Sequence, residues 1–427
     1  MQCTYACQSA DHGIARRQFL GTVAAGLGAS TGLGFLTRPA AAKELAAQQK
    51  RVCVFYMHGG LSQLESWDPK PQTDTGGPFR AIPTSVPGVH LCELLPMTAQ
   101  QMHHLALIRS INTKEDDHGK GQYLMLKGRR QTPGSEFPEL GAVVAKAIAP
   151  EDGGLPGHIR VANGGGGGRS NDAAYLGPKF GSVVLGGDPP QNSARPDGLT
   201  ETADDTRNAF RQKVNDRFAT RRRTAETDAY TYNYEQAQQL MRRRDVFDLS
   251  KEADSEHDRY GRHDLGKHTL LARRLLEHGI TFVKVSHSNY DTHNENFNFH
   301  LEQLGEFDRS FATFVADLAD RGMLDSTLIV VISEFGRTPN INQYYGRDHW
   351  SRAWSICVGG AKVHPGAVIG KTNENGTAVA DREVDHGHLF HTYLQALGLD
   401  SKSHFNIGGR EVPMADPAYD AIAELIA

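Results

Sequence analysis

Five short apolar runs recur along the chain, each long enough for one strand. They fall at 51–57 (RVCVFYM), 105–109, 280–285, 328–332 and 354–358. Near-continuous apolar runs of this length, with helical patterns between them, predict strands buried on both faces in a mostly parallel sheet. The helical patterns are explicit. Leu301, Leu304, Phe307, Phe311, Phe314, Val315 and Leu318 recur at spacings of three and four, and so form one stripe. Leu270, Leu271, Leu275 and Leu276 do the same just before Gly279, a helix stop ahead of the third run. Strand and helix in alternation predict an α/β sandwich.

Two stretches break this rhythm. Over 195–260 the strand-like runs vanish and arginines alternate with acids, which predicts a helical insertion whose arginine-rich face is solvated. Gly164 to Gly168 predict a flexible loop, since no P-loop lysine follows them. The N-terminal 42 residues read as a twin-arginine signal peptide. Arg16 and Arg17 stand before a glycine-diluted apolar run that ends in Arg38-Pro39-Ala40-Ala41-Ala42, a small-residue cleavage site. The expected partner is therefore the twin-arginine export machinery, and the expected location is the periplasm or beyond. No stable membrane span is expected after cleavage.

Composition changes this picture little. Cleavage removes three arginines and one aspartate, taking the formal charge from −4 to −6. That mild acidity gives no reason to expect nucleic acid as a partner. About 385 residues remain, enough for one large α/β domain over 43–427. Of five cysteines, Cys53, Cys92 and Cys357 survive, too few and too scattered for a disulfide framework or a zinc knuckle.

Ligands of open α/β sheets bind beyond the carboxyl ends of the strands. Four of the five runs are followed by reactive residues. The first leads into His58-Gly59-Gly60-Leu61-Ser62, and the second into Lys114-Glu115-Asp116-Asp117-His118. The third leads into Asp291-Thr292-His293, and the fourth into Glu334, Arg337 and then Arg347-Asp348-His349. Carboxylates and imidazoles in this mixture suit a divalent ion such as zinc, manganese or calcium. An ion beside a hydroxyl or water is machinery for hydrolysing an anionic ester. Arginines there suit sulfate or phosphate oxygens.

The motifs Gly59 to Pro71, Tyr290-Asp291-Thr292-His293, Glu334 to Pro339 and Gly346-Arg347-Asp348-His349-Trp350 resemble a known family. It comprises twin-arginine-exported, sulfatase-like proteins of the alkaline phosphatase superfamily, catalogued as a domain of unknown function. The resemblance spans essentially the whole mature chain. It implies a three-layer α/β/α sandwich and an exported metal-dependent hydrolase of sulfate or phosphate esters, on small-molecule or polysaccharide substrates. It further implies Asp291, His293, Glu334, Asp348 and His349 as ligands of one or two ions, with Ser62 as nucleophile. His118 and Arg337 would contact the substrate or leaving group. Phe335 stands where a paired histidine is expected, and no aspartate directly follows the first strand. One ion, a second ion held by Glu65 or Asp68 with Asp348, or a catalytically inactive binding protein with a structural metal all stay open. The formylglycine signature of sulfatases is absent.

Overall fold

In a computed structural model, residues 49–150, 154–190, 193–222 and 225–427 are described. The signal-peptide region lies outside them. Nine strands form the central sheet. In chain order they are β1 (Arg51–Met57), β2 (Leu105–Ile111), β3 (His158–Val161), β4 (Gly166–Arg169), β5 (Val183–Leu185), β6 (Phe282–His287), β7 (Thr327–Ile332), β8 (Trp354–Gly359) and β9 (Val368–Ile369). Their spatial order is β9-β2-β8-β7-β1-β6-β3-β5-β4. All five expected runs are strands of this sheet.

The period-2 alternation of β1 decides the layers. Cys53, Phe55 and Met57 point to one face, Val52, Val54 and Tyr56 to the other, and each set is packed under its own helices. The principal helices are α1 (His118–Lys127), α2 (Leu140–Ile148), α3 (Glu201–Arg222), α4 (Ala225–Arg242), α5 (Asp264–Glu277), α6 (Asn296–Asp320) and α7 (His386–Ala396). Helices α5 and α6 cover the Phe55 face, while α2 and α7 cover the Val54 face. The protein is thus a three-layer α/β/α sandwich. On the first face, Phe55 meets Phe307, Phe311 and Phe314 edge-on at ring-centroid distances of 6.2, 5.2 and 5.4 Å. Leu301, at the margin of that stripe near the start of α6, is instead exposed.

The sheet is mostly, but not wholly, parallel. β1 pairs in parallel with β6 and β7, and β3 with β6 and β5. β8 runs antiparallel to both β2 and β7. This reversal has a functional consequence. Residues that precede β8 arrive at the same edge where β1, β2, β6 and β7 end. A two-residue ribbon pairing Arg337 with His349 fastens them there. The glycine run is a second departure from expectation. Gly166–Arg169 is an edge strand antiparallel to β5, and a Cβ on Gly165 would stand 2.4 Å from the Leu185 carbonyl carbon. Close backbone approach, and not looseness, is what those glycines permit.

Candidate metal centre

Each side chain of the cluster is set by the end of a different element. His118 opens α1, whose N-cap Asp117 accepts from Lys120 N at 2.9 Å. Asp291 follows β6, where Tyr290 N donates to His58 O at 3.1 Å and pins the turn against the end of β1. The fit is close, since a Cβ on Gly59 would stand 2.3 Å from Asp291 N. Glu334 follows β7, and His349 lies on the ribbon before β8.

The histidines are oriented through their Nδ1 atoms. His118 Nδ1 lies 2.8 Å from Glu334 Oε1, His293 Nδ1 2.6 Å from Asp348 Oδ1, and His349 Nδ1 2.7 Å from the Asp116 carbonyl. Each of these partners is an acceptor, so each assigns the ring proton to Nδ1 and leaves a lone pair on Nε2. Those Nε2 atoms converge. His293 and His349 face each other through Nε2 at 3.0 Å, and all three approach the Asp291 carboxylate at 3.2 to 3.4 Å. One donor atom each from His118, Asp291 and His349 falls within 4.8 Å of the others. His118 Nε2 is buried with no hydrogen-bond partner. Lone pairs directed at one another and at a carboxylate repel unless a cation lies among them. The donor set therefore fits a metal ion, with the orienting acceptors typical of metal-bound histidine.

The electrostatics agree. Burial alone would raise the Asp291 carboxyl, but the Arg337 guanidinium 2.5 Å away, with His118 and His293, holds it below the usual carboxylate range. Burial lowers the His349 imidazole, favouring the neutral form that binds metal. The cluster is open: the Asp291, His293 and His118 side chains are 49%, 46% and 39% exposed. Phe335 packs against the His118 and His349 rings at 4.9 and 4.4 Å, and so forms an apolar wall where a paired histidine was expected.

Several expected roles change. Glu334 and Asp348 stand behind the imidazoles as hydrogen-bond acceptors, and Glu334 Oε1 also accepts from Gly59 N at 2.9 Å. His118 belongs to the donor set itself. Arg337, expected on substrate, is fully buried, donating to the Gly59, Gly60 and Arg347 carbonyls and to Asp291. Ser62, expected as nucleophile, is also fully buried, its backbone N–H donating to His300 Nε2 at 3.2 Å. The cause is the turn before it: Gly59 and Gly60 take φ of 113° and 90° and send residues 61–68 inward. Glu65 pairs with Arg347, and Asp68 with Lys70 and Thr372, so neither reaches the cluster. The sequence signal for the donor set was the histidine opening a capped helix at a strand end. Its role depended on which ring nitrogen is free, which spacing does not encode.

His300, beneath this loop, yields a pH prediction. Burial lowers its imidazole to about 4, against the opposing pull of Glu65. Unfolded, it titrates near ~6.5. Above that value it is neutral in both states and costs nothing. As pH falls, the unfolded chain takes up a proton that the fold refuses. Stability should then drop by roughly 1.4 kcal/mol per pH unit, approaching ~3 kcal/mol near pH 4. Urea unfolding at pH 7.5 and 5.0 should show a smaller loss for His300→Gln than for the wild type. Equal losses would refute this.

A three-layer α/β sandwich with an imidazole–carboxylate cluster at its carboxyl edge is the class that fold and site define. The chain belongs to the DUF1501 family, described as a protein of unknown function, whose model matches residues 49–426. No curated protein gives a significant match. Among solved structures the chain is similar to the lipoteichoic acid synthase LtaP from Listeria monocytogenes, at 9% identity and TM-score 0.41, covering 92% of this chain and 78% of that one. It is similar to the PsFucS1 sulfatase from Pseudoalteromonas sp. at 13% identity and TM-score 0.41, covering 91% and 76%. It is also similar to the C-terminal periplasmic domain of EcEptC from Escherichia coli in complex with Zn, at 10% identity and TM-score 0.41, covering 82% of each. Among the described residues, no helix is long and apolar enough to cross a membrane.

Proposed function

We propose that this chain is a metal-dependent hydrolase of sulfate or phosphate esters, exported by the twin-arginine route that Arg16 and Arg17 signal. One divalent ion would be held by His118, Asp291, His293 and His349. The carrying observation is the convergence of three imidazole lone pairs on one carboxylate at an open sheet edge. Three nitrogens and one carboxylate suit zinc or manganese, whereas calcium prefers a shell of oxygens. Glu334 and Asp348 are committed to the histidines, which favours one ion over two.

A divalent ion there supplies Lewis-acid activation of an ester oxygen and of water. The chain's own residues do the rest. Arg337 keeps Asp291 ionised, Glu334 and Asp348 keep two Nδ1 protons in place, and Phe335 excludes water from one side. With Ser62 buried, water is the nucleophile this site favours. The same burial supports a second reading, a non-catalytic protein with a bound metal.

The test is elemental analysis of the purified mature protein, followed by assays on aryl phosphate and aryl sulfate with zinc and with manganese. About one ion per chain with turnover of either ester is expected. No bound ion would refute the metal centre, while an ion without turnover of either ester would favour the second reading.

A further inference from the structure

Beside the metal cluster lies a cleft of about 730 Å³, within the usual range of small-molecule sites. It opens at the carboxyl ends of β3, β5 and β6. Gln122, one helical turn beyond His118 on α1, shares its wall with His58, the residue before Gly59. Most ligand pockets are chiefly apolar. This one is lined instead by amides, hydroxyls, imidazoles and charges.

The charges are unevenly paired. Arg160 on β3 stands in register with Lys284 on β6 to one side and Val184 on β5 to the other, and all three line the cleft. Two cations directly opposed on neighbouring strands repel each other. Lys284 has a counter-ion, Glu139, at 2.6 Å. Arg160 has none: its guanidinium makes no hydrogen bond or ion pair among the described residues, and its Nε is buried without a partner. The Nε bears the cost of burial without a partner, and the unpaired guanidinium, facing the cleft, is free to take an anion. The opposite wall, from α5 and α6, carries Asp264, Glu302 and Glu306. Glu306 is shared between His263 at 3.4 Å and His287 at 3.5 Å. That wall offers acceptors and repels anions. A free inorganic anion would therefore satisfy one side only.

We infer that this cleft binds an acidic sugar residue, its anionic group on Arg160 and its hydroxyls donating to the carboxylates of the α5–α6 wall. The anionic group is a ring carboxylate or a sulfate, either of which a guanidinium takes in bidentate fashion. The site stands whether or not the metal centre turns over an ester.

The test is titration calorimetry on the mature protein with three probes: a hyaluronan disaccharide (carboxylate only), lactose carrying one sulfate, and lactose itself. One or both anionic probes should bind at least tenfold more tightly than lactose, and which of them does so identifies the group. Arg160→Gln should weaken that binding about tenfold or more, the share of one charge-assisted contact. Val184→Glu keeps Arg160 but gives it an internal counter-ion from the next strand, and should weaken binding similarly while leaving thermal unfolding near wild type. His349→Ala should lose metal without changing sugar binding, which separates the two sites. Equal affinity for all three probes, or unchanged binding in both cleft variants, would overturn the assignment.

Discussion

Asp291→Ala is expected to lower the affinity for a divalent ion by more than about 100-fold, beyond what removal of an orienting partner normally costs. Asp291 supplies the only formal charge in the donor set, and all three Nε2 atoms point to it. Without it, three neutral imidazoles must hold the ion while the buried Arg337 guanidinium, deprived of its carboxylate, adds an uncompensated positive charge nearby. Glu334→Gln should be milder, about 10- to 100-fold, since it loosens the fixing of the His118 proton and of the Gly59 turn without removing a donor atom. Competition against a chromophoric chelator at pH 7.5 measures both. The order matters more than either value. If Glu334→Gln lost more than Asp291→Ala, Glu334 would be the ligand and the donor set proposed here would be wrong. Affinity should also fall with acidification, because the histidines must be neutral to bind. Asp291, held ionised by Arg337, would not set that edge.

The position of this site was legible in the sequence, whereas its internal division of labour was not. Apolar runs followed by His118, Asp291 and Glu334 could be read as strands ending in chemistry, because strand burial is a local property of side-chain pattern. Whether Glu334 binds metal or binds a histidine depends on a 2.8 Å contact between residues 216 positions apart, set by the packing of α1 against the end of β7. Phe335 was legible as a departure from the family pattern. Its use as a wall for two imidazoles required the fold. Ser62 misled for a related reason. It follows a strand closely enough to suggest an exposed hydroxyl, but two glycines with positive φ turn the chain inward before it. The direction of β8 was equally hidden, since an apolar run carries no sign of whether it runs with or against its neighbours. Without that reversal, His349 would emerge at the far edge of the sheet.

Arg347→Ala should cost about 3–5 kcal/mol of folding stability, the usual effect of breaking a buried ion pair from one side. Arg347 and Glu65 are 0% and 1% exposed and meet through two contacts of 2.8 and 3.1 Å. The guanidinium also donates to the Thr75, Thr338 and Pro339 carbonyls, and so ties the loop after β1 to the loop before β8 beneath the imidazole–carboxylate cluster. Burial pushes the Glu65 carboxyl up, yet the Arg347 guanidinium holds it below its usual range, so it stays charged in the fold. Removing the arginine leaves that charge with the Asn296 amide, 3.0 Å away, and the neighbouring Ser62 hydroxyl, and strands three carbonyls. The pair itself need not be strongly stabilising, because both ions were taken out of water to form it. Replacing both partners, as in Glu65→Gln with Arg347→Met, should therefore be less harmful than Arg347→Ala alone. Urea midpoints of the two variants decide this, and a double variant no more stable than the single one would contradict it. Asp348 and His349 follow Arg347 directly, so the single variant should also weaken metal binding, although it removes no ligand. That coupling gives the arginine of the Gly346 to Trp350 motif a role in positioning the loop, where composition alone had suggested an anion contact.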